Sequence, residues 1–206
     1  MTFGMTKRAH IFRNPWLYAL SIRLLHLNGC KKIREIVGKK KNVFEPACGY
    51  GRLQKYLHDN CSYSGIDLNE IFINFGRKRG LDIRIGDVLE EKNYIKSDII
   101  ILCDILQHLT RDNIHRVVSI AKKFSTEKVI IMEPSFVGLA SGKGFFSRLA
   151  AKVFAKVDFD GINNIEHWST RQDYQKLFKH LKETNKFADM KIQMSKGYYF
   201  VELIRA

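Results

Sequence analysis

The chain has 206 residues, enough for one domain with a full core and short for two. Apolar residues make up 45% and charged residues 27%, which excludes a disordered or fibrous chain, and no stretch approaches the roughly 20 apolar residues of a spanning helix. The imbalance is in sign: 35 Lys and Arg against 21 Asp and Glu give +14, a surface that attracts polyanions or anionic membrane faces, or one that only reflects a Lys-rich proteome.

Asn14-Pro15 followed by WLYALSIRLLHL predicts a capped helix, stopped at Asn28-Gly29. A shorter helix, KKIREIV, runs to Gly38. From there strands and helices alternate. KNVFEPA, SYSGIDL, LDIRIGD, SDIIILCD and EKVIIMEP read as strands. GRLQKYLHD, NEIFINFGRKRG and RDNIHRVVSIAKKF read as helices, the last with Ile114, Val117, Val118 and Ala121 on one face. Short apolar strands alternating with helices imply βαβ units and a mostly parallel, doubly wound sheet.

Beyond Pro134 the rhythm changes. SFVGLASGKG reads as a loop and FFSRLAAKVFAKV as a helix outside the repeat. Ser169 and Gln172 form a capping box for RQDYQKLFKHL, whose buried stripe is Tyr174, Leu177, Phe178 and Leu181. The last stretch is two strands around Ser195-Lys196-Gly197, a hairpin whose final strand runs antiparallel.

The four cysteines, Cys30, Cys48, Cys61 and Cys103, show neither CxxC nor Cys/His ligand spacing, so no metal site is expected and free thiols point to the cytoplasm. No secretory signal is read in the N-terminal residues, and no transmembrane segment is expected.

The segment VFEPACGYGRL, residues 43 to 53, carries the first chemistry. A strand ends in an acid and turns through two glycines one residue apart, so a ligand can approach the backbone at the sheet's C-terminal edge. A dinucleotide fingerprint would need a third glycine where Gln54 stands, and a P-loop would need Gly-Lys-Ser/Thr. Acid-x-Ala-Cys-Gly-x-Gly resembles instead the first motif of the class I S-adenosylmethionine (SAM)-dependent methyltransferases, with Ala47 where that family usually has glycine. The resemblance covers residues 43 to 133 and the terminal hairpin.

The resemblance implies a Rossmann-like α/β fold: a doubly wound seven-stranded sheet, mostly parallel with an antiparallel C-terminal strand, helices on both faces. It implies SAM as cofactor and S-adenosylhomocysteine (SAH) as product. Glu45, Ala47, Cys48, Gly49 and Gly51 would form the methionine end of the site. Asp67 and Leu68, sixteen and seventeen residues after Gly51, would hold the ribose. Gly86, Asp87 and Val88 would meet the adenine, and Cys103 and Asp104 would open the methyl-transfer face. A single domain follows, made of an N-terminal helical cap (1–38), a cofactor core (43–133), an acceptor-side insertion (135–168) and a final helix and hairpin (169–206).

His108, in Asp104-Ile-Leu-Gln-His108-Leu, resembles the stretch that borders the acceptor pocket of small-molecule methyltransferases, as base or orienter, or else packs as a helix-end histidine. His167-Trp168 is a second candidate, with a structural pair as its alternative, and Glu133-Pro134 ends the fifth strand where an acceptor is reached. The three prolines stand alone, so the Asn/Asp-Pro-Pro-Tyr segment of base-amino methylases is missing, as is the Pro-Cys pair of pyrimidine carbon-5 methylases. In residues 143–157 an apolar stripe edged by Arg148, Lys152 and Lys156 makes a basic amphipathic helix, suited to covering an apolar acceptor or to peripheral contact with an anionic membrane.

The expectation is methyl transfer to oxygen or nitrogen of a small-molecule or lipid-linked acceptor. RNA methylation is an alternative, motivated by Lys39-Lys40-Lys41 and Arg77-Lys78-Arg79, and a non-catalytic binding module on the same fold is another.

Overall fold

The computed structural model describes residues 29–134, 171–195 and 197–205. The expected helices at 15–27 and 143–157, the cap Ser169 and His167 lie outside them. Helix α1 (Gly29–Val37) buries Cys30, Ile33, Ile36 and Val37, and the Gly38 N–H closes it on the Arg34 carbonyl at 3.1 Å. Seven strands follow: β1 (Asn42–Pro46), β2 (Ser62–Asp67), β3 (Asp82–Ile85), β4 (Ser97–Cys103), β5 (Ser125–Pro134), β6 (Asp189–Ser195) and β7 (Tyr198–Ile204). Among them lie α2 (Glu70–Arg77), α3 (Arg111–Phe124) and α4 (Arg171–Thr184).

The sheet order is β3-β2-β1-β4-β5-β7-β6. The first five strands run parallel, and β7 is antiparallel to both its neighbours, as the terminal turn predicts. Because strand side chains alternate between faces, the buried runs of β4 and β5 feed two cores. Ile100, Leu102, Val129 and Ile131 meet α3 and the Tyr174, Leu177, Phe178, Leu181 stripe of α4. Ile99, Ile101, Cys103, Ile130 and Met132 meet α1.

One expected helix is shorter. GRLQKYLHD forms only a 3-10 turn, Arg52–Tyr56, and Leu57 is already extended. Leu53 and Leu57 share their core with Cys30 and Ile33, so α1 fills the space a longer helix would occupy. Other boundaries follow local capping. Asn69 Oδ1 accepts from the N–H groups of Ile71 and Phe72 to start α2, and Thr110 Oγ1 accepts from Asn113 N–H to start α3. Strand β5 begins two residues earlier than the apolar pattern suggests, because Ser125 both ends α3 and pairs with Ser97.

Candidate functional site

In parallel strands the residues after each strand meet at one edge of the sheet. That edge gathers the ends of β1, β2, β3 and β4 and the segments after them, on which the sequence-predicted cofactor residues lie.

The loop after β1 is tightly wound. Gly51 has φ +78°, and a Cβ there would lie 2.5 Å from Leu81 Cδ1. Ala47 has φ +60°, in the left-handed region that disfavours a side chain by about 1–2 kcal/mol. The family preference for glycine at this position therefore has a backbone cause, and this chain carries strain there. Cys48 is buried, its N–H donating to the Ile66 carbonyl at 2.9 Å, and burial pushes its thiol far above the ordinary range. The loop sits so close to β2 that a Cβ on Gly65 would come within 2.8 Å of both the Glu45 carbonyl oxygen and Cys48 Cβ.

Asp67 joins the loop to the next strand. Its Oδ2 accepts from Gly49 N–H at 2.8 Å and its Oδ1 from Asn69 N–H at 2.7 Å. Beside it, Gly86 N–H donates to the Asp67 carbonyl at 3.1 Å, which brings Asp87 alongside. Asp87 Oδ1 accepts from Leu89 N–H at 2.9 Å, and buried Val88 accepts at its carbonyl from the Tyr94 hydroxyl at 2.8 Å. Leu68, which follows Asp67, Ile85, which pairs with it, and Ile71 in the first turn of α2 are 58%, 50% and 42% exposed.

Glu45, Arg52 and Asp104 form a second group. Glu45 is buried and accepts a hydrogen bond from the Tyr63 hydroxyl. Burial pushes its carboxyl up to about 8, against that bond and the Arg52 charge. Arg52 Nη2 lies 3.8 Å from Asp104 Oδ2, across from the loop after β1 to the residue after β4. Asp104 holds φ +53°, a left-handed conformation fixed by its N–H bond to the Met132 carbonyl at 2.9 Å. Cys103 lies in the core with its thiol 3.8 Å from Met132 Sδ, so its side chain does not reach the edge.

The third group surrounds Glu133 at the end of β5. Its Oε1 accepts from the N–H groups of Ile105 and Leu106 at 2.9 and 2.8 Å, which pins the turn Leu106–His108. His108 is thus placed at the same edge, its N–H on the Ile105 carbonyl and its ring 3.3 Å from Gln107 Nε2. Burial and the Asp104 charge push Glu133 up to about 8 against its two backbone bonds.

The sequence reading did not single out Arg52, Tyr63, Ile71 or Ile85. Arg52 directly follows the second loop glycine, which was a readable signal. Tyr63 reaches Glu45 only through the β1–β2 register, in which Gly65 stands opposite Glu45 and leaves room. The basic runs fall elsewhere: Lys39–Lys41 precede β1 and Arg77–Arg79 precede β3, at the opposite edge of the sheet. Among the described residues no helix is long and apolar enough to cross a membrane, and the four cysteines are free thiols.

No protein-family model and no curated protein sequence matches the chain. Solved structures do. Magnesium protoporphyrin IX methyltransferase from Synechocystis PCC 6803, with SAH bound, aligns over 99% of this chain and 91% of its own at 14% identity and TM-score 0.59. A SAM-dependent methyltransferase of Methanococcus maripaludis, itself assigned only provisionally, aligns over 98% of each chain at 12% identity and TM-score 0.69. The pyocyanin biosynthetic protein PhzM aligns over 95% of this chain, which spans 61% of PhzM, at 16% identity and TM-score 0.67. With the seven-stranded order, the antiparallel β7 and the glycine loop after β1, the chain has the fold of the class I SAM-dependent methyltransferases.

Proposed function

We propose that the chain is a SAM-dependent methyltransferase acting on oxygen or nitrogen of a small-molecule or lipid-linked acceptor. One observation carries this reading: Asp67 is bonded to the glycine loop, with exposed Leu68 next to it in sequence and exposed Ile85 opposite it in the β2–β3 register. In this reading those apolar side chains and the two acids hold the nucleoside, next to the glycine loop.

Bound SAM supplies an electrophilic methyl carbon on a sulfonium. The chain then has to align, exclude water and, for an acceptor that keeps its proton, remove it. Asp67 accepts the ribose hydroxyls and Asp87 the adenine amino group, with the purine on Leu68 and Ile85. Gly49 and Gly51 leave room for the methionine portion. Arg52 and Asp104 present one charge of each sign, the complement of a zwitterionic amino acid. His108, on the turn that Glu133 pins, orients the acceptor or takes its proton. His167, the second candidate, belongs to the acceptor-side insertion in this reading.

The small-molecule reading is favoured over RNA because Lys39–Lys41 and Arg77–Arg79 lie at the edge opposite the glycine loop, so RNA held there points away from the methyl donor. The free thiols fit a cytoplasmic protein, and the basic helix expected at 143–157 suits peripheral contact with anionic lipid.

The test is incubation with methyl-labelled SAM and either total RNA or an organic extract of cell membranes and small metabolites. Label in the organic or low-molecular-weight fraction is expected. Label in RNA would contradict the acceptor class. Absence of label together with absence of SAM binding would leave only a binding module on this fold.

A further inference from the structure

The turn that presents His108 is held by one oxygen of Glu133, and the other oxygen is the more informative. Glu133 is fully buried, and its Oε2 has no hydrogen-bond partner among the described residues. In the β5–β7 register Glu133 stands opposite Tyr199, so both side chains lie on the same sheet face as cross-strand neighbours. The Tyr199 hydroxyl is likewise buried without a partner among the described residues, and so is Oε1 of Gln107 on the pinned turn. Native cores rarely leave such atoms unmatched, and three at one strand end mark a place where a polar group is received.

The chemistry of the pair narrows the ligand. Two backbone N–H groups occupy Oε1, so in the neutral carboxyl the proton sits on Oε2. Burial favours that neutral form. The phenolic hydroxyl of the paired Tyr199 both donates and accepts. The ring of Tyr199 lies 5.0 Å from Tyr174 and 6.0 Å from Phe178, so the polar atoms end an aromatic wall.

Resting on the methyltransferase reading, we propose that Glu133 Oε2 and the Tyr199 hydroxyl form the acceptor's recognition subsite, selecting neutral aromatic molecules that carry a hydroxyl over their apolar or cationic analogues. A hydroxyl can accept from one of these groups and donate to the other. A hydrocarbon leaves both unmatched, and an ammonium ion meets a proton-bearing carboxyl.

The test uses the full chain saturated with SAH and three probes of similar shape: phenol, toluene and benzylammonium, titrated by ligand-detected NMR. Phenol is expected to bind wild type at least tenfold more tightly than either of the others. Tyr199→Phe is expected to remove most of that preference without changing toluene binding, and Glu133→Leu to remove it as well. SAH titration of the same samples reports whether each variant is folded; if Glu133→Leu is not, Tyr199→Phe alone decides. Equal binding of phenol and toluene by wild type, or a preference retained in Tyr199→Phe, would overturn the subsite. Tighter binding of benzylammonium would overturn the neutral-acceptor selection. Failure of wild type to bind SAH would instead overturn the methyltransferase reading.

Discussion

The two halves of the sheet treat polar atoms in opposite ways. Around β1, β2 and β3, Asp67 and Asp87 are both bonded to backbone N–H groups, while Leu68, Ile71 and Ile85 are left in water. Along β5 and β7 nearly every apolar side chain is buried, and Oε2 of Glu133 and the Tyr199 hydroxyl go without partners among the described residues. One half keeps its shape through main-chain bonds and shows apolar side chains to solvent. The other spends core packing to hold buried polar atoms. Recognition through backbone geometry needs glycines and acids at set spacings and so leaves a pattern in sequence. Recognition through a few buried side chains leaves none.

The largest effect that would sharpen this contrast is steric. Gly65→Val puts atoms where the Glu45 carbonyl and Cys48 already stand at 2.8 Å from a Cβ. It should cost about 3 kcal/mol by urea denaturation and abolish SAH binding. Stability unchanged within error would mean that loop and strand are not packed as described.

The next effect depends on pH. Glu45 and Glu133 both sit near 8 in the folded chain against 4.5 for an ordinary carboxyl. The folded state therefore binds more protons between those limits, so their contribution to stability is full below about pH 4.5 and is lost as pH rises toward 8. The slope is at most roughly 1.4 kcal/mol per pH unit for each group. Glu133→Gln and Glu45→Gln should each flatten that fall, measured as unfolding free energy from pH 5 to 8. A profile identical to wild type in either variant removes that carboxyl from the account.

The smallest effect is local. Ala47→Gly relieves φ +60° and should raise stability, by about 0.5–1 kcal/mol after the extra chain entropy of glycine is offset. A loss of stability would mean the Ala47 methyl packs more than its backbone strains. As a comparison at the opposite edge, replacing Lys39, Lys40 and Lys41 together by alanine should leave SAH affinity unchanged. A tenfold drop would tie the basic run to the site.

Much of the core was readable. The run RDNIHRVVSIAKKF became α3 with its expected face buried, because Ile114, Val117, Val118 and Ala121 recur at helical spacing between a Thr cap and a strand. The stretch GRLQKYLHD has the same spacing at Leu53 and Leu57 but formed a single 3-10 turn, since α1 already covers that face. Local pattern cannot see a competitor twenty residues away. The glycine loop and the acids Asp67 and Asp87 were legible from order and spacing. Tyr63 against Glu45 and Tyr199 opposite Glu133 were not, since each pair exists only through strand register. Cys103, included in the cofactor set as the last residue of β4, has its thiol against Met132 in the core.

The central claim is that Asp67 couples the glycine loop to a nucleoside site, and calorimetric titration of wild type and Asp67→Ala with SAH tests it most directly. The account predicts micromolar binding by wild type and at least a tenfold loss in the variant, which gives up both the ribose contact and the Gly49 N–H bond. Wild-type binding that Asp67→Ala retains in full, or no binding by wild type, would contradict it.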